Sequence, residues 1–419
     1  MKPLRSLLAT TLLAALPTLA LAQATPAARK LAHDAIVVDT HIDGPEMLQD
    51  GWRDLGQRTD REFDWPKAQQ GGLKVAFMSI YTSPKQDAED KAYQVANAMI
   101  DSIEALVQRH PDKFALLRSP RDIARLGKPG KVLLPFGMEN GAPIGSDLRR
   151  LEFFYNRGIR YITLAHSAAN RIADSSYGVE RKWHGLSPFG RDVVKEMNRL
   201  GIMVDVSHLS DESAMEAIRL SRVPVIASHS GMRHFTPGFE RNASDDIAKA
   251  IAAKGGVVQL TFGTGFVNPK ASADMQDSFR AREDLRLRNL AAKAAGKPIE
   301  DEAEFAARWD REHPVPKTDI SAVIDQVMYA VKLLGADHVG IGSDFDGVDG
   351  ALPTQLQSVA DYPNLVAGLQ ARGLRDGDIR KILGGNLLRV WTAVENGAKH
   401  TLASREASSG ARDAASTSM

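Results

Sequence analysis

Four short apolar segments of this chain each end in side chains that bind metal ions. The segment VVDTHID carries His41 and Asp43, VLLPFGME ends at Glu139, IMVDVSH ends at His208, and PVIASHS carries His229. Three imidazoles and two carboxylates suffice to hold two zinc-like ions. Because a pair of such ions makes water a nucleophile at neutral pH, the pattern predicts a metal-dependent hydrolase.

The fold that must position these side chains is predicted from the alternation of short apolar runs with amphipathic stretches. Continuous Val/Ile/Leu runs are typical of strands buried on both faces, and eight of them favour a TIM-type (β/α)8 barrel with its chemistry at the strand carboxyl ends. The alternative is an open doubly wound sheet, but HIDGPEM after the first strand is not the glycine-rich turn that such a sheet prefers. The predicted strands are Ile36–His41, Lys74–Ile80, Val132–Glu139, Tyr161–His166, Ile202–His208, Pro224–Ser230, Val257–Phe262 and His338–Phe345.

Helical patterns lie between most of these strands, and one intervening segment differs from the rest. Residues Asn268–Thr318, between the seventh and eighth strands, are rich in Arg, Glu, Lys and Ala and predict a helical excursion on the barrel rim. We call this segment the charged excursion; a lid, a dimer contact and a solvated decoration are the alternatives for its role. The other predicted helices include Ala92–Gln108, Gly190–Leu200, Asp211–Leu220, Asp245–Lys254 and Ile320–Leu334.

Composition narrows the class of protein. The 419 residues are 43% apolar and carry a formal charge of +1. The sequence has no stripe of basic residues interleaved with aromatics, so nucleic acid is not an expected partner. The chain has no cysteine, so every soft metal ligand must be histidine, which favours zinc. We expect one β/α barrel over residues 23–400 and a disordered tail over residues 401–419.

The amino terminus is typical of an exported protein. Lys2 and Arg5 precede a largely apolar stretch, Leu7–Leu21, and the tripeptide Ala20-Leu21-Ala22 suits a signal peptidase. We therefore expect residues 1–22 to be removed and the protein to be periplasmic or secreted in a bacterium, without a membrane anchor. An uncleaved anchor is the alternative.

Three further residues are candidates for the reaction itself. His166 ends the fourth strand and is a candidate ligand, oxyanion donor or structural residue; we prefer the donor. Asp344 ends the eighth strand and suits a proton shuttle above a metal-bound water, whereas Asp346, before Gly347, suits a turn. Arg241 follows the sixth strand and either binds a substrate carboxylate or is solvated.

These motifs together resemble the membrane (renal) dipeptidases of metallopeptidase family M19. The resemblance covers nearly the whole chain after the signal, from about residue 33 to residue 395. One departure is Ile42, where the family often has asparagine. The matching segments are DTHIDGP, GMENG, YITLAHSAANRIADSS, DVSHLS, PVIASHS, RNASDD, GIGSDFDG and GGNLLRV.

The resemblance implies a barrel with two zinc ions that share Glu139. It implies that His41 and Asp43 complete the site of one ion, and that His208 and His229 complete the other. It further implies that His166 steadies the tetrahedral intermediate, that Arg241 meets the substrate's terminal carboxylate, and that Asp344 handles the proton. Dimers are common in the family, so a homodimer is one expected assembly.

The predicted reaction is hydrolysis of dipeptides, L-Xaa-L-Xaa and also L-Xaa-D-Xaa, by a metal-bridging hydroxide. Another binuclear amidohydrolase, such as a lactonase or phosphotriesterase, is the alternative enzyme. Those enzymes usually use a carboxylated lysine as the bridge, and the fourth strand here ends in His166 without a lysine. A binding protein that has kept the barrel and lost catalysis is the alternative outside enzymes, although every predicted ligand is present.

Overall fold

The structure, a computed structural model, describes residues 24–49, 51–178 and 181–398. The predicted signal peptide, residues 1–22, and the predicted tail, residues 401–419, lie outside the described residues. Ten strands form one sheet whose ladders are all parallel. They are β1 Val37–Ile42, β2 Leu73–Tyr81, β3 Phe114–Leu116, β4 Val132–Leu134, β5 Phe136–Glu139, β6 Ile159–Thr163, β7 Met203–Asp205, β8 Ile226–Ala227, β9 Val257–Leu260 and β10 Val339–Ile341.

Helices connect the strands, and several begin at a polar residue whose side chain caps the helix. The hydroxyl of Ser210 accepts a hydrogen bond from the backbone N–H of Ser213, and Ser244 does the same for Ile247, so each satisfies an otherwise unpaired amide at a helix start. The helices are α1 Pro26–Asp34, α2 Gly44–Gln49, α3 Trp65–Gly71, α4 Pro84–Ala88, α5 Ala92–Arg109, α6 Ile123–Leu126, α7 Arg149–Arg157, α8 Pro188–Leu200, α9 Asp211–Leu220, α10 Asp245–Ala253, α11 Thr264–Val267, α12 Pro269–Ala294, α13 Glu302–Glu312, α14 Ile320–Leu334, α15 Tyr362–Ala371 and α16 Asp376–Arg380, followed by a π-helical turn, Lys381–Gly385, and a helix at residues 386–398.

The sheet closes into the predicted TIM-type barrel. The strands follow one another around it as β1, β2, β4 with β5, β6, β7, β8, β9 and β10, and β3 is an added strand paired with β4. Pro135, which has no N–H to donate, separates β4 from β5. Closure between β10 and β1 comes from two backbone hydrogen bonds, Asp43 N to Phe345 O (2.9 Å) and Asp344 N to His41 O (3.1 Å).

The regular strands are shorter than predicted at their carboxyl ends. Strand pairing stops two or three residues before His166, His208, His229 and Asp344, all of which were predicted to lie at or near strand ends. His208 and Asp344 both have a φ of 66°, the left-handed conformation that β-strands do not accept. The chain therefore turns over the barrel mouth at these residues, which places their side chains above the strands.

The barrel interior is closed from below by the carboxyl-terminal helix. Trp391 is fully buried and its ring lies 5.3 Å from that of Phe77 on β2. Because side chains of a strand alternate between its two faces, every second strand residue reaches this inner layer and the others pack against the surrounding helices. The inner layer contains Val38, Val75, Phe77, Leu133, Tyr161, Met203, Ile226 and Val257, which pack with Leu387, Val390, Trp391 and Val394.

The charged excursion between the last two strands is helical, as predicted, and consists of α12, α13 and their connections. The side chain of Asn268 caps α12 by accepting from Lys270 N and Ala271 N. Among the described residues, none of the helices combines the length and the apolar character that crossing a bilayer requires.

Candidate metal centre

The five side chains predicted as metal ligands meet in the mouth of the barrel. Glu139 lies at their centre, since its Oε2 is 3.3 Å from His41 Nε2 while its Oε1 is 3.0 Å from His208 Nε2 and 3.2 Å from His229 Nε2. Asp43 Oδ2 lies 3.5 Å from His41 Nε2. All five side chains are buried. Ligands bound tetrahedrally at about 2.0–2.1 Å from zinc are about 3.3 Å from each other, so these spacings suit metal coordination.

The tautomer of each histidine follows from the partner of its ring. The Tyr161 hydroxyl donates to Thr40 O (2.9 Å), so it must accept from His41 Nδ1 (2.8 Å), and the lone pair of His41 is on Nε2. In the same way the Ser228 hydroxyl donates to Asp205 Oδ2 (2.6 Å) and accepts from His229 Nδ1 (2.8 Å). A second partner held in this way is typical of metal-binding histidines.

The tautomer of His208 follows from its contact with Arg241. Nη2 of Arg241 lies 2.8 Å from His208 Nε2, and because a guanidinium can only donate, Nε2 is again the nitrogen with the lone pair. Three lone pairs therefore face the Glu139 carboxylate, and the Nε2 atoms of His208 and His229 are only 2.9 Å apart. Acceptors facing acceptors at this distance repel one another unless a cation lies between them, so the donor set fits a metal centre.

The pKa shifts of the carboxylate and imidazoles in this cluster also favour a bound cation. Burial opposes ionisation of Glu139, but the surrounding imidazoles, His41 and His166 foremost, outweigh it and hold its pKa well below the usual range. Burial, together with nearby positive charge, holds the pKa values of His208 and His229 well below normal, so both rings are neutral, which is the form that binds metals. His41 differs, because Tyr161, Glu139 and Asp43 outweigh its burial and raise its pKa, so its Nε2 takes up a proton unless a metal ion binds there instead.

A bulge in β1 aims His41 into the barrel. Asp39 and His41 are two residues apart and would point the same way on a regular strand. However, Asp39 accepts a hydrogen bond from Tyr362 of α15, outside the barrel, whereas His41 reaches Tyr161 inside it. The pairing of β1 with β2 is irregular between Asp39 and Ile42, which reverses the alternation. His41 and Asp43 therefore do enter one mouth, as predicted, but the bulge is what brings His41 there.

The other three predicted site residues lie around the same cluster of side chains. His166 Nε2 lies 3.4 Å from Glu139 Oε1, and its Nδ1 is buried without a partner among the described residues. Asp344 Oδ1 lies 4.0 Å from His41 Nε2. Arg241 is 2% exposed, and its Nη1 donates to Ser230 Oγ (3.1 Å), so the solvated alternative for this residue does not describe its position.

Three groups of side chains within the described residues are close enough to hold an ion. They are His41 with Glu139 and His229, Glu139 with His166 and His208, and His41 with Asp43 and Asp344. These groups share residues with the two predicted ligand sets but are not identical to them. The difference is that His166 and Asp344 are also close enough to contribute a ligand atom. The division of ligands between two ions, and the donor role of His166, stay predictions.

Two glycines of the matching motifs are explained by close approach. A Cβ at Gly137 would lie 1.9 Å from Tyr161 Cζ, so only glycine leaves room for the ring that orients His41. A Cβ at Gly347 would lie 2.3 Å from Asp43 Oδ2 and 2.7 Å from Asp344 Oδ1. Asp346, beside it, lies in a turn, as predicted, and its carboxylate accepts from the backbone N–H groups of Glu62 (2.8 Å) and Phe63.

Sequence reasoning missed the residues that hold the ligands in place. Tyr161, Asp205 and Ser228 lie inside motifs that were recognised, but only their neighbours were singled out. Asp205 accepts from Ser228 N (2.7 Å), Ser207 N (3.1 Å) and the Thr163 hydroxyl, and it is fully buried. A carboxylate inside the apolar run IMVDV is the signal that would have identified it, because buried charges need partners.

Replacing Tyr161 with phenylalanine is expected to weaken metal binding by about 10- to 100-fold, because His41 loses the partner that fixes its ring. Titration of the metal-free protein against a competing chelator measures the change. Tyr329→Phe is the matched control, since its hydroxyl binds Asp245 Oδ2 (2.8 Å) on the outer helices. Equal affinity in the Tyr161→Phe and wild-type proteins would show that the Tyr161 hydroxyl does not support the site.

A parallel barrel whose mouth holds histidines and carboxylates around one buried glutamate defines a metal-binding site of the kind that metal-dependent hydrolases use. Comparison with known proteins makes the class specific. The model of the membrane dipeptidase family, peptidase family M19, matches residues 25–405. The chain belongs to this family and is a metallo-dipeptidase.

Individual relatives agree with this assignment. Dipeptidase tcpJ of Claviceps purpurea (strain 20.1) is 28% identical over 343 residues, which is 80% of this chain and 69% of the relative. The crystal structure of the probable dipeptidase PvdM from Pseudomonas aeruginosa is 27% identical with a TM-score of 0.75, covering 89% of this chain and 98% of its own. A metallo peptidase from Rhodobacter sphaeroides, liganded with a phosphinate mimic of the dipeptide L-Ala-D-Ala, shares the fold (TM-score 0.69, 24% identity, 86% of this chain and 100% of its own).

Proposed function

We propose that this metallo-dipeptidase hydrolyses L-Xaa-L-Xaa and L-Xaa-D-Xaa dipeptides with two zinc ions bound around Glu139. The observation that carries the proposal is the position of the Glu139 carboxylate, whose two oxygens face different nitrogens. His41 and Asp43 would hold one ion with Oε2, and His208 and His229 the other with Oε1. Bound there, the ions would lower the pKa of water toward neutrality and polarise the scissile carbonyl.

Arg241 positions the substrate by its carboxylate. The Nε atom of Arg241 is buried and has no partner among the described residues, so its N–H is available to donate a charge-assisted hydrogen bond to a substrate carboxylate. The guanidinium is fixed by Ser230 and lies 5.2 Å from the Phe266 ring. Since Arg241 is also next to His208, a carboxylate bound to it places the preceding peptide bond over Glu139. Arg241 therefore selects the peptide bond next to the terminal carboxylate, which in a dipeptide is the single peptide bond.

His166 and Asp344 supply the remaining groups. Burial lowers the pKa of His166, so its ring is neutral and donates a hydrogen bond through one nitrogen to the carbonyl oxygen as that oxygen becomes negative. Burial raises the pKa of Asp344 to about 8, with Asp43 and Glu139 adding to the effect against the opposing influence of His41. Positive charge bound at the site would lower this pKa again. The ionised carboxylate would then accept a proton from the attacking water at Oδ1 and return it to the leaving nitrogen.

The decisive experiment is a panel of substrates with and without a chelator. We expect the protein to cleave L-Ala-L-Ala and L-Ala-D-Ala, to lose activity with the chelator, and to regain it with zinc. L-Ala-L-Ala amide, which lacks the carboxylate that Arg241 binds, should be cleaved at least about 100-fold more slowly, because buried polar groups left unpaired discriminate strongly. A lactone serves as the control for the alternative amidohydrolase. Cleavage of the lactone in preference to every dipeptide would refute the proposal.

We also propose that the protein works outside the cytoplasm, because residues 1–22 have the charge and apolar pattern of a signal peptide. Amino-terminal sequencing of protein recovered from a bacterial periplasm tests this directly. A mature chain beginning at Gln23 supports export with cleavage, and an intact Met1 in the cytoplasmic fraction contradicts it.

A further inference from the structure

An aromatic contact joins the charged excursion to the metal centre. The rings of Phe279 on α12 and Tyr177 in the loop after β6 lie 4.2 Å apart, and the ring of Tyr177 lies 5.9 Å from that of His208. The pKa of Tyr177 is raised to about 12 by burial, against the opposing effect of the nearby Arg241 guanidinium. Tyr177 therefore stands between the excursion and the residues that would bind substrate.

The first turns of α12 are fixed to the barrel so that Phe279 must face the mouth. Ser272 is buried, and the terminal methyl of Met275 occupies the space above Gly265 of α11, where a Cβ would lie 2.0 Å from it. Residues 272, 275 and 279 are three and four apart and share one face of a helix. That face points at the barrel, so Phe279 lies against Tyr177 as a consequence of how α12 begins.

The loop that carries Tyr177 is also fixed to the barrel, through its residues 175–178 and 181. Ser176 N donates to His208 O (2.8 Å), and the hydroxyl of Ser175 donates to His166 O. Arg181 donates to Gly178 O (2.7 Å) and forms an ion pair with Glu240, next to Arg241. The loop is thus tied to the backbones of two site histidines and to the segment that carries Arg241.

We propose that Tyr177 and Phe279 form the wall of the pocket for the side chain of the substrate's C-terminal residue, and that they make the enzyme prefer dipeptides with an apolar residue there. The proposal rests on the dipeptidase function and on the carboxylate binding at Arg241. The side chain of that residue branches from the carbon bonded to the carboxylate, so it must lie next to the Arg241 guanidinium. Tyr177 and Phe279 are the aromatic groups that meet it on the excursion side.

Further contacts support an apolar pocket at this place. Phe239 lies 6.1 Å from Tyr177 and 6.1 Å from Phe266, so aromatic rings continue around the guanidinium of Arg241. Phe279 is 36% exposed, which leaves part of its ring free to contact a ligand. A substrate side chain bound there would cover apolar surface that is otherwise in water, which favours binding in proportion to its size.

The test compares L-Ala-L-Phe with L-Ala-Gly in the wild-type protein and in Phe279→Ala, both loaded with zinc. We expect Phe279→Ala to lower kcat/KM for L-Ala-L-Phe by about tenfold through KM, with kcat little changed, because the lost contact is a hydrophobic pocket contact made before and during the reaction. The value for L-Ala-Gly should stay within about twofold, since glycine has no side chain to contact the wall. Phe279→Tyr keeps the ring and should keep the preference.

Leu290→Ala is the matched control. Leu290 is exposed on the same helix and face, eleven residues or about 16 Å further along, so it is beyond reach of the site. An unchanged preference for L-Ala-L-Phe in a folded Phe279→Ala protein, or an equal loss in Leu290→Ala, would overturn the assignment of the pocket. If the wild-type protein cleaves neither dipeptide, the proposed dipeptide specificity itself fails and this inference falls with it, a result distinct from an unchanged preference.

Discussion

Replacing Glu139 with glutamine is expected to lower kcat/KM for dipeptides by at least about three orders of magnitude and to lower the bound metal as well. Glutamine has nearly the same shape but only one acceptor oxygen, so either His41 or the pair His208 and His229 would face an amide N–H₂ group. The negative charge that would hold the proposed cations together is also lost. Steady-state kinetics and metal analysis of the same samples measure both effects.

Two variants control for this result. Ser79→Ala removes only the hydroxyl that lies 3.2 Å from Glu139 Oε2, and it should reduce metal affinity by about tenfold, as the loss of a supporting partner usually does. Glu216→Gln makes the same chemical change on α9, where the carboxylate pairs with Arg191, and should leave activity unchanged. Normal turnover and metal content in Glu139→Gln would rule out a metal centre built around this carboxylate.

Replacing Asp344 with asparagine is expected to slow turnover by about two to four orders of magnitude while the metal content stays the same. The amide cannot take up and return a proton, although it fills the same space above His41. We expect the loss in kcat rather than in KM, because the proton moves only during the reaction. Single-turnover measurements on the metal-loaded protein isolate this step.

The loop that carries Asp344 also provides its control. Asp349 is exposed five residues further along, so Asp349→Asn changes the same group without touching the site and should be fully active. If Asp344→Asn with its metal bound turns over at the wild-type rate, another group handles the proton.

Sequence reasoning could predict the site because the parallel barrel brings strand carboxyl ends together. Once eight apolar runs are assigned to such a barrel, Glu139, His208 and His229 must lie at one mouth. The pattern did not show how each side chain is aimed. The bulge that turns His41 inward and the positive φ angles of His208 and Asp344 depend on backbone contacts between strands far apart in sequence.

Supporting residues were harder to predict for a related reason. Tyr161 has the composition of a core residue, and nothing local to it shows that its hydroxyl reaches His41, 120 residues away. The charged excursion was predicted to be helical, but its contact with the site depends on Met275 packing over Gly265 and Phe279 over Tyr177. Contacts between separate segments do not produce a periodic pattern in the sequence.

The helix that fills the end of the barrel opposite the mouth limits the routes by which substrate enters and product leaves. Trp391 and its neighbours block the axis at that end, so in the part of the chain that the structure describes the mouth beside α12 serves both arrival and departure. In the proposed binding mode, the released C-terminal amino acid, whose carboxylate Arg241 would hold, has to leave through the same mouth by which the next dipeptide enters. Product and incoming substrate would therefore compete for one opening, and the rate of product release would set an upper limit on kcat.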